Sequence, residues 1–147
     1  MTAPERIEVR VTHRFRASAE RVFDAWLDPA RAAKWLFATP TGEMVRAELD
    51  ARVGGRFLFV DRRDGADVSH HGTYLELVRP RRLVFTFHVG DEPPTDHSVV
   101  SIDIVPLADG CELTLVHEME AKWREYADRT EAGWVGILDG LARELGS

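Results

Sequence analysis

An α+β domain, with a seven-stranded antiparallel sheet closed by one long C-terminal helix, follows from three observations. The first run of the chain alternates apolar and polar residues, two Asp-Gly pairs stand between strand-like runs, and the last stretch has helical periodicity.

Ile7, Val9, Val11, His13 and Phe15 fall on one side of the first run, and Glu8, Arg10, Thr12, Arg14 and Arg16 on the other, as in a half-buried strand. Ser18 is placed to cap a helix that carries Glu20 in its first turn and Val22, Phe23, Trp26 and Leu27 at helical spacing. Asp28-Pro29 repeats the signal for a second short helix through Trp35.

From Glu43 the pattern is strand after strand. Asp64-Gly65 separates RFLFVDR from SHHGTYLELV, and Asp109-Gly110 separates VVSIDIVPL from CELTLVHEM. Such pairs supply the positive φ angles that two-residue hairpins require. Between the hairpins, RLVFTFHV puts Leu83, Phe85, Phe87 and Val89 on one face, and the loop that follows carries Asp91, Glu92 and Asp96, read as a solvated mouth. Gly54-Gly55 reads as a turn or bulge, and Arg79-Pro80-Arg81-Arg82 as a solvated turn.

From about Lys122 to Leu145, Trp123, Thr130, Trp134, Leu138, Leu141 and Leu145 share one helical stripe, with Arg124, Glu131, Asp139 and Arg143 across from it. Gly133, Gly136 and Gly140, each costing roughly 1 kcal/mol against alanine, gather at one edge of the stripe beside Tyr126 and Ile137. One helix is too narrow to cover seven strands, so either the sheet curls or a space remains. The glycines are expected to leave that space; the rival reading lays the helix backbone directly on the sheet.

The chain of 147 residues fits one domain, residues 1–147. Cys111 stands alone and MTAPERIEVRV lacks a basic segment followed by an apolar run, so a cytoplasmic home is expected. No stretch approaches the roughly 20 apolar residues of a membrane span, and no membrane insertion is expected. Nineteen basic against 25 acidic residues, net charge −6, opposes nucleic-acid binding. His70 and His71 are consecutive and point to opposite faces of a strand, and no zinc or phosphate-loop motif is present, so neither metal nor cofactor is expected. Cys111 shares the face of Leu113 and reads as a semi-buried, inert thiol.

The order of elements, together with HRFRASAERVFDAWLDPARAAKWL, ELDARVGGRFLF, HHGTYLELVRPRRLVFTF, the strand pair ending in LTLVHEM, and GWVGILDGLARELG, resembles the helix-grip (SRPBCC) superfamily of START domains and birch-pollen-allergen-like proteins. Within it the chain is most similar to the family named after the activator of the heat-shock protein 90 ATPase, over about residues 8–146. The resemblance implies a curved sheet wrapped around the C-terminal helix, two short helices after the first strand, and an apolar cavity that often holds a hydrophobic small molecule. Members are mostly small bacterial proteins without established catalytic residues, so the resemblance carries no catalytic role to any residue here.

His13, between Val11 and Phe15, and His117, between Leu115 and Met119, are expected to point inward, either as core hydrogen-bonding posts or as groups that orient a ligand. Alternation or helical spacing could send most of Trp35, Phe57, Phe59, Phe85, Phe87, Trp123, Tyr126 and Trp134 inward as well. With Met119, Leu138 and the two histidines they form the candidate lining of a pocket, in which Tyr126 and His117 are the polar handles. The function read from this set is binding of a hydrophobic small molecule between sheet and last helix. One alternative is a cyclase or dehydratase using His117 as general acid–base, which lacks an assigned inward carboxylate because the face of Glu76 is ambiguous. The other is an interaction protein acting on a chaperone or regulatory partner.

Overall fold

The computed structural model describes residues 6–36, 42–90 and 98–146; the loop with Asp91, Glu92 and Asp96 lies outside them. Strand β1 (Arg6–Phe15) leads into helices α1 (Ala19–Leu27) and α2 (Pro29–Trp35). Strands β2 (Glu43–Leu49), β3 (Arg56–Arg63), β4 (Ala66–Val78), β5 (Arg82–Val89), β6 (Ser98–Leu107) and β7 (Gly110–Glu120) follow, then a 3₁₀ segment (Ala121–Tyr126) and α3 (Ala127–Leu145). The strands form one seven-stranded sheet in the order β1-β7-β6-β5-β4-β3-β2, with every neighbouring pair antiparallel.

Local chemistry sets the element boundaries. The Ser18 hydroxyl accepts from the Arg21 N–H at 3.2 Å, and the Asp28 carboxylate accepts from the Ala30 N–H at 3.0 Å, so each short helix begins on a side-chain cap. Asp64 and Gly65 both take positive φ, 50° and 80°, which closes a two-residue turn and sets Arg63 opposite Ala66. In the second hairpin Leu107 faces Gly110, so the turn residues are Ala108 and Asp109. Gly72, in the middle of β4, lies so close to β5 that a Cβ there would overlap the Thr86 carbonyl and press on the Phe57 ring. A side chain is excluded at that bend.

The coverage problem posed by a single helix is solved by all three helices sharing one sheet face. Val22, Phe23 and Trp26 of α1, Trp35 of α2 and Trp134, Leu138, Leu141 and Leu145 of α3 are buried with the inward residues of the strands. Two arginines of the charged run at the β4–β5 turn are paired: Arg79 makes a bidentate pair with Asp24 (2.8 and 2.9 Å), and Arg82 forks between Glu76 (3.1 Å) and Asp103 (2.9 Å). Tyr74 points inward opposite Phe85, and the bulge that follows it leaves Leu75 exposed, turns Leu77 to the core and places Glu76 against Arg82. Cys111 is fully buried, which pushes its thiol up and keeps it protonated. Among the described residues no helix is long and apolar enough to cross a membrane.

The three glycines of α3 divide. A Cβ at Gly133 or Gly136 would meet no described atom within 4 Å, and both positions are exposed. A Cβ at Gly140 would make ordinary contact, 3.7 Å, with Trp35. Close packing of the helix backbone on the sheet therefore explains neither Gly133 nor Gly136. The space beside them is open rather than enclosed.

Candidate functional site

The concave face has an apolar end and a polar end. At the apolar end Trp26 and Trp35 meet edge to face at 4.8 Å between ring centres, and Phe57 packs on Phe85 at 5.4 Å and on Tyr74 at 5.6 Å. Phe59 is completely buried beside them. The space bounded by Trp26, Leu36, Phe57, Phe59, Tyr74, Leu83 and Phe85 is about 10 Å³, at most the room of one water. This end is a packed core.

At the polar end, strands β3, β4, β5 and β7 bring Asp61, His70, Phe87 and His117 onto the same face. The Asp64-Gly65 turn sets the register that puts His70 opposite Phe59, and β6 places Val100 opposite His117. The Phe87 ring lies between the two imidazoles, 6.2 Å from His70 and 5.7 Å from His117, and 6.0 Å from the indole of Trp134. Phe87 itself is half-buried, whereas His70, His117 and Trp134 are buried.

His117 is held in one tautomer by Trp134 and kept neutral by burial. Trp134 Nε1–H donates to its Nδ1 at 2.9 Å, and an indole nitrogen can only donate, so Nδ1 carries the lone pair and Nε2 carries the proton. Burial, with a lesser contribution from the Arg6 charge, lowers its pKa to about 4. Nε2 is buried and has no hydrogen-bond partner among the described residues. The ring thus stands as a neutral donor.

His70 is neutral for the same reason. Desolvation chiefly, helped by the Arg63 charge, lowers it to about 4 against the opposing influence of the Phe59 carbonyl and Asp61. Asp61, fully buried on β3, accepts from Arg63 Nε at 2.7 Å. Asp61 is an inward carboxylate absent from the sequence reading, although the alternation Phe57, Phe59, Asp61 continues straight to it. His70 was likewise readable, by counting outward along both strands from the Asp64-Gly65 turn to Phe59 and His70.

The remaining sequence-predicted residues divide between the core and the surface. Met119 and Leu138 are buried. His13 is part-exposed and bridges β1 to α3, with Nε2 3.3 Å from Asp139 and Nδ1 2.8 Å from the Arg14 carbonyl. Four residues separate its register position from that of His117, roughly 13 Å along the strand. Trp123 and Tyr126, expected to face inward, are 43% and 39% exposed and stand side by side at 5.8 Å. The cause is helical phase. The segment Ala121–Tyr126 is 3₁₀, with three residues per turn, so the stripe of α3 does not continue through it.

A concavity of about 590 Å³ lies mainly on the opposite, outward face, lined by Arg46, Glu48, Arg56, Leu58, Val60 and His71 among others. Of the sequence-predicted residues only Phe57 borders it. Its Arg46 and Glu48 pair with each other at 3.1 Å.

Comparison with known proteins agrees with this architecture. A crystal structure of a protein from Chromobacterium violaceum is 28% identical with TM-score 0.79, covering 92% of this chain and 94% of that one. The solution structure of the AHSA1-like protein from Aeromonas hydrophila is 24% identical with TM-score 0.81, covering 95% and 92%. A Staphylococcus aureus protein of unknown function is 20% identical with TM-score 0.84, covering 97% and 95%. The last two likenesses speak to fold alone. No curated protein matches the chain. The family profile described as Activator of Hsp90 ATPase homolog 1-like protein matches residues 16–146. Element order, sheet topology and a match over most of its length show that the chain belongs to this family, within the helix-grip superfamily.

Proposed function

We propose that the protein binds a hydrophobic small molecule between the sheet and α3, at the end where Phe87, His117 and Trp134 meet. The observation that carries this reading is the convergence of aromatic rings and neutral, buried histidines around the half-buried Phe87. Apolar walls with a few positioned polar groups are the usual composition of a small-molecule site. The resting core is closely packed, so a ligand must displace a wall. α3 is weakest where Trp134 closes over the rings, because exposed Gly133 and Gly136 flank it at a cost of roughly 1 kcal/mol each. The helix turns on either side of Trp134 are therefore the wall that moves, beside the polar end, while Trp134 stays bonded to His117.

The test is titration of the folded protein with an uncharged naphthylamine dye, followed by displacement with sterol-, flavonoid- and fatty-acid-like compounds. Saturable binding with quenching of tryptophan emission is the expected result. Its absence across such a set, in protein shown to be folded, would remove the proposal.

The geometry lends no support to His117 as general acid–base. Its Nδ1 is occupied by a donor, and its Nε2–H belongs to a neutral imidazole, a very weak acid. A protein partner is the second reading, favoured by the exposed Trp123–Tyr126 pair beside Arg129, whose guanidinium lies 5.8 Å from the Tyr126 ring centre. On that reading Trp123→Ala abolishes association without changing dye uptake.

A further inference from the structure

Three buried nitrogens along one row of rings share a property. Trp35 Nε1, Trp26 Nε1 and His117 Nε2 are each buried with no hydrogen-bond partner among the described residues. The row is continuous: Trp35 touches Trp26 at 4.8 Å, Trp26 lies 6.4 Å from Trp134, and Trp134 lies 5.9 Å from His117. Indole N–H groups can only donate, and the Trp134 bond makes His117 Nε2 a donor too. The row is thus rich in unmatched donors.

Buried donors left unmatched are uncommon in native proteins and ask for an explanation. From this, and resting on the small-molecule reading above, we infer that the ligand is an uncharged, flat molecule carrying acceptor oxygens, of the ketone, quinone or flavone class, and that His117 Nε2–H is the group that selects for the oxygen. A carboxylate is disfavoured by geometry. Holding one by an ion pair requires a protonated His117, whose Nδ1–H would then face the Trp134 N–H, donor against donor, and break that bond. A hydrocarbon without oxygen is accepted but leaves the donors unmatched.

The experiment uses three probes with a common skeleton: prodan, which is dimethylaminonaphthalene bearing a neutral ketone; the parent amine without the ketone; and the corresponding naphthoic acid. The wild-type protein is expected to bind prodan about ten-fold more tightly than the parent amine, the size of one well-made buried hydrogen bond, and to bind the acid more weakly than prodan at neutral pH. His117→Gln, which keeps both an acceptor for Trp134 and an N–H donor, retains most of the preference. The double variant His117→Phe with Trp134→Phe loses it while still binding the parent amine.

Equal binding of prodan and parent amine overturns this inference but leaves the small-molecule reading standing. Failure of all three probes to bind folded wild-type protein overturns both. Binding of the acid as tightly as prodan overturns the exclusion of charged ligands. Because the decisive comparison uses the wild-type chain, poor folding of a variant leaves the inference testable.

Discussion

The C-terminal half of α3 is tied to three other elements, whereas its N-terminal half has one fully buried side chain among the described residues. Arg21 of α1 donates to the Leu145 carbonyl at 3.2 Å, Lys34 of α2 pairs with Glu144 at 3.8 Å, and His13 of β1 meets Asp139 at 3.3 Å. Leu138, Leu141 and Leu145 are buried beneath these ties. In the N-terminal half Trp134 alone is buried, bonded to His117 between two exposed glycines. One helix thus joins a fixed segment to one that can open locally, and the ring cluster lies under the second.

The largest expected effect tests the single anchor. Trp134→Ala should cost roughly 3–5 kcal/mol, since it removes a buried ring and leaves His117 Nδ1 unmatched. Chemical denaturation measures it, and a loss no greater than that of Asp139→Ala would mean that the anchor lies elsewhere.

Acid comes next. His70 and His117 have folded pKa values near 4, below the usual 6.5, so the unfolded chain binds more protons between those pH values. Stability is then complete above about pH 6.5 and falls as the pH drops toward 4, by up to roughly 3 kcal/mol for each histidine. In His117→Gln the acid-side slope of stability against pH should shrink by about half. An unchanged slope would show that His117 is not held neutral by the fold.

A smaller change sharpens the contrast within α3. Gly133→Ala and Gly136→Ala should each stabilise the protein by about 1 kcal/mol, because an added methyl meets no described atom. Amide exchange should slow around Trp134 and stay as it was around Leu141. Destabilisation by either change would reveal a contact made there. Smallest of all, Asp139→Ala should cost about 0.2–1 kcal/mol, because the pair with His13 is part-exposed and screened. A thermal melt suffices to check it.

Much of this was legible in the sequence for identifiable reasons. Strict alternation in β1, the Ser18 and Asp28 caps, the Asp64-Gly65 turn and the apolar stripe from Trp134 to Leu145 are local signals, and local physics carried them into the structure. Trp123 and Tyr126 were misread because a change from 3₁₀ to α geometry shifts helical phase without changing residue types. The alternation Phe57, Phe59, Asp61 already points Asp61 inward, but that a carboxylate there is fully buried depends on pairing across β2, β3 and β4, which no single segment displays. That Trp134 fixes the tautomer of His117 joins α3 to β7, and no spacing rule links those two positions. The site was therefore half readable: its rings from alternation, its hydrogen bonds only from the fold.

The edge position of β1 has a consequence for how the chain reaches its native state. Six strands follow one another around the sheet from β2 to β7, yet β1 pairs with β7, Arg6 opposite Glu120 and Phe15 opposite Cys111. During synthesis the first strand made must wait for the last, with Val9, Val11 and Phe15 unpaired until β7 emerges. Closing so long a loop makes this contact late and slow. The nascent domain is most vulnerable to wrong pairing along β1, where Glu8, Arg10 and Arg14 put charge on the outward side of the waiting strand.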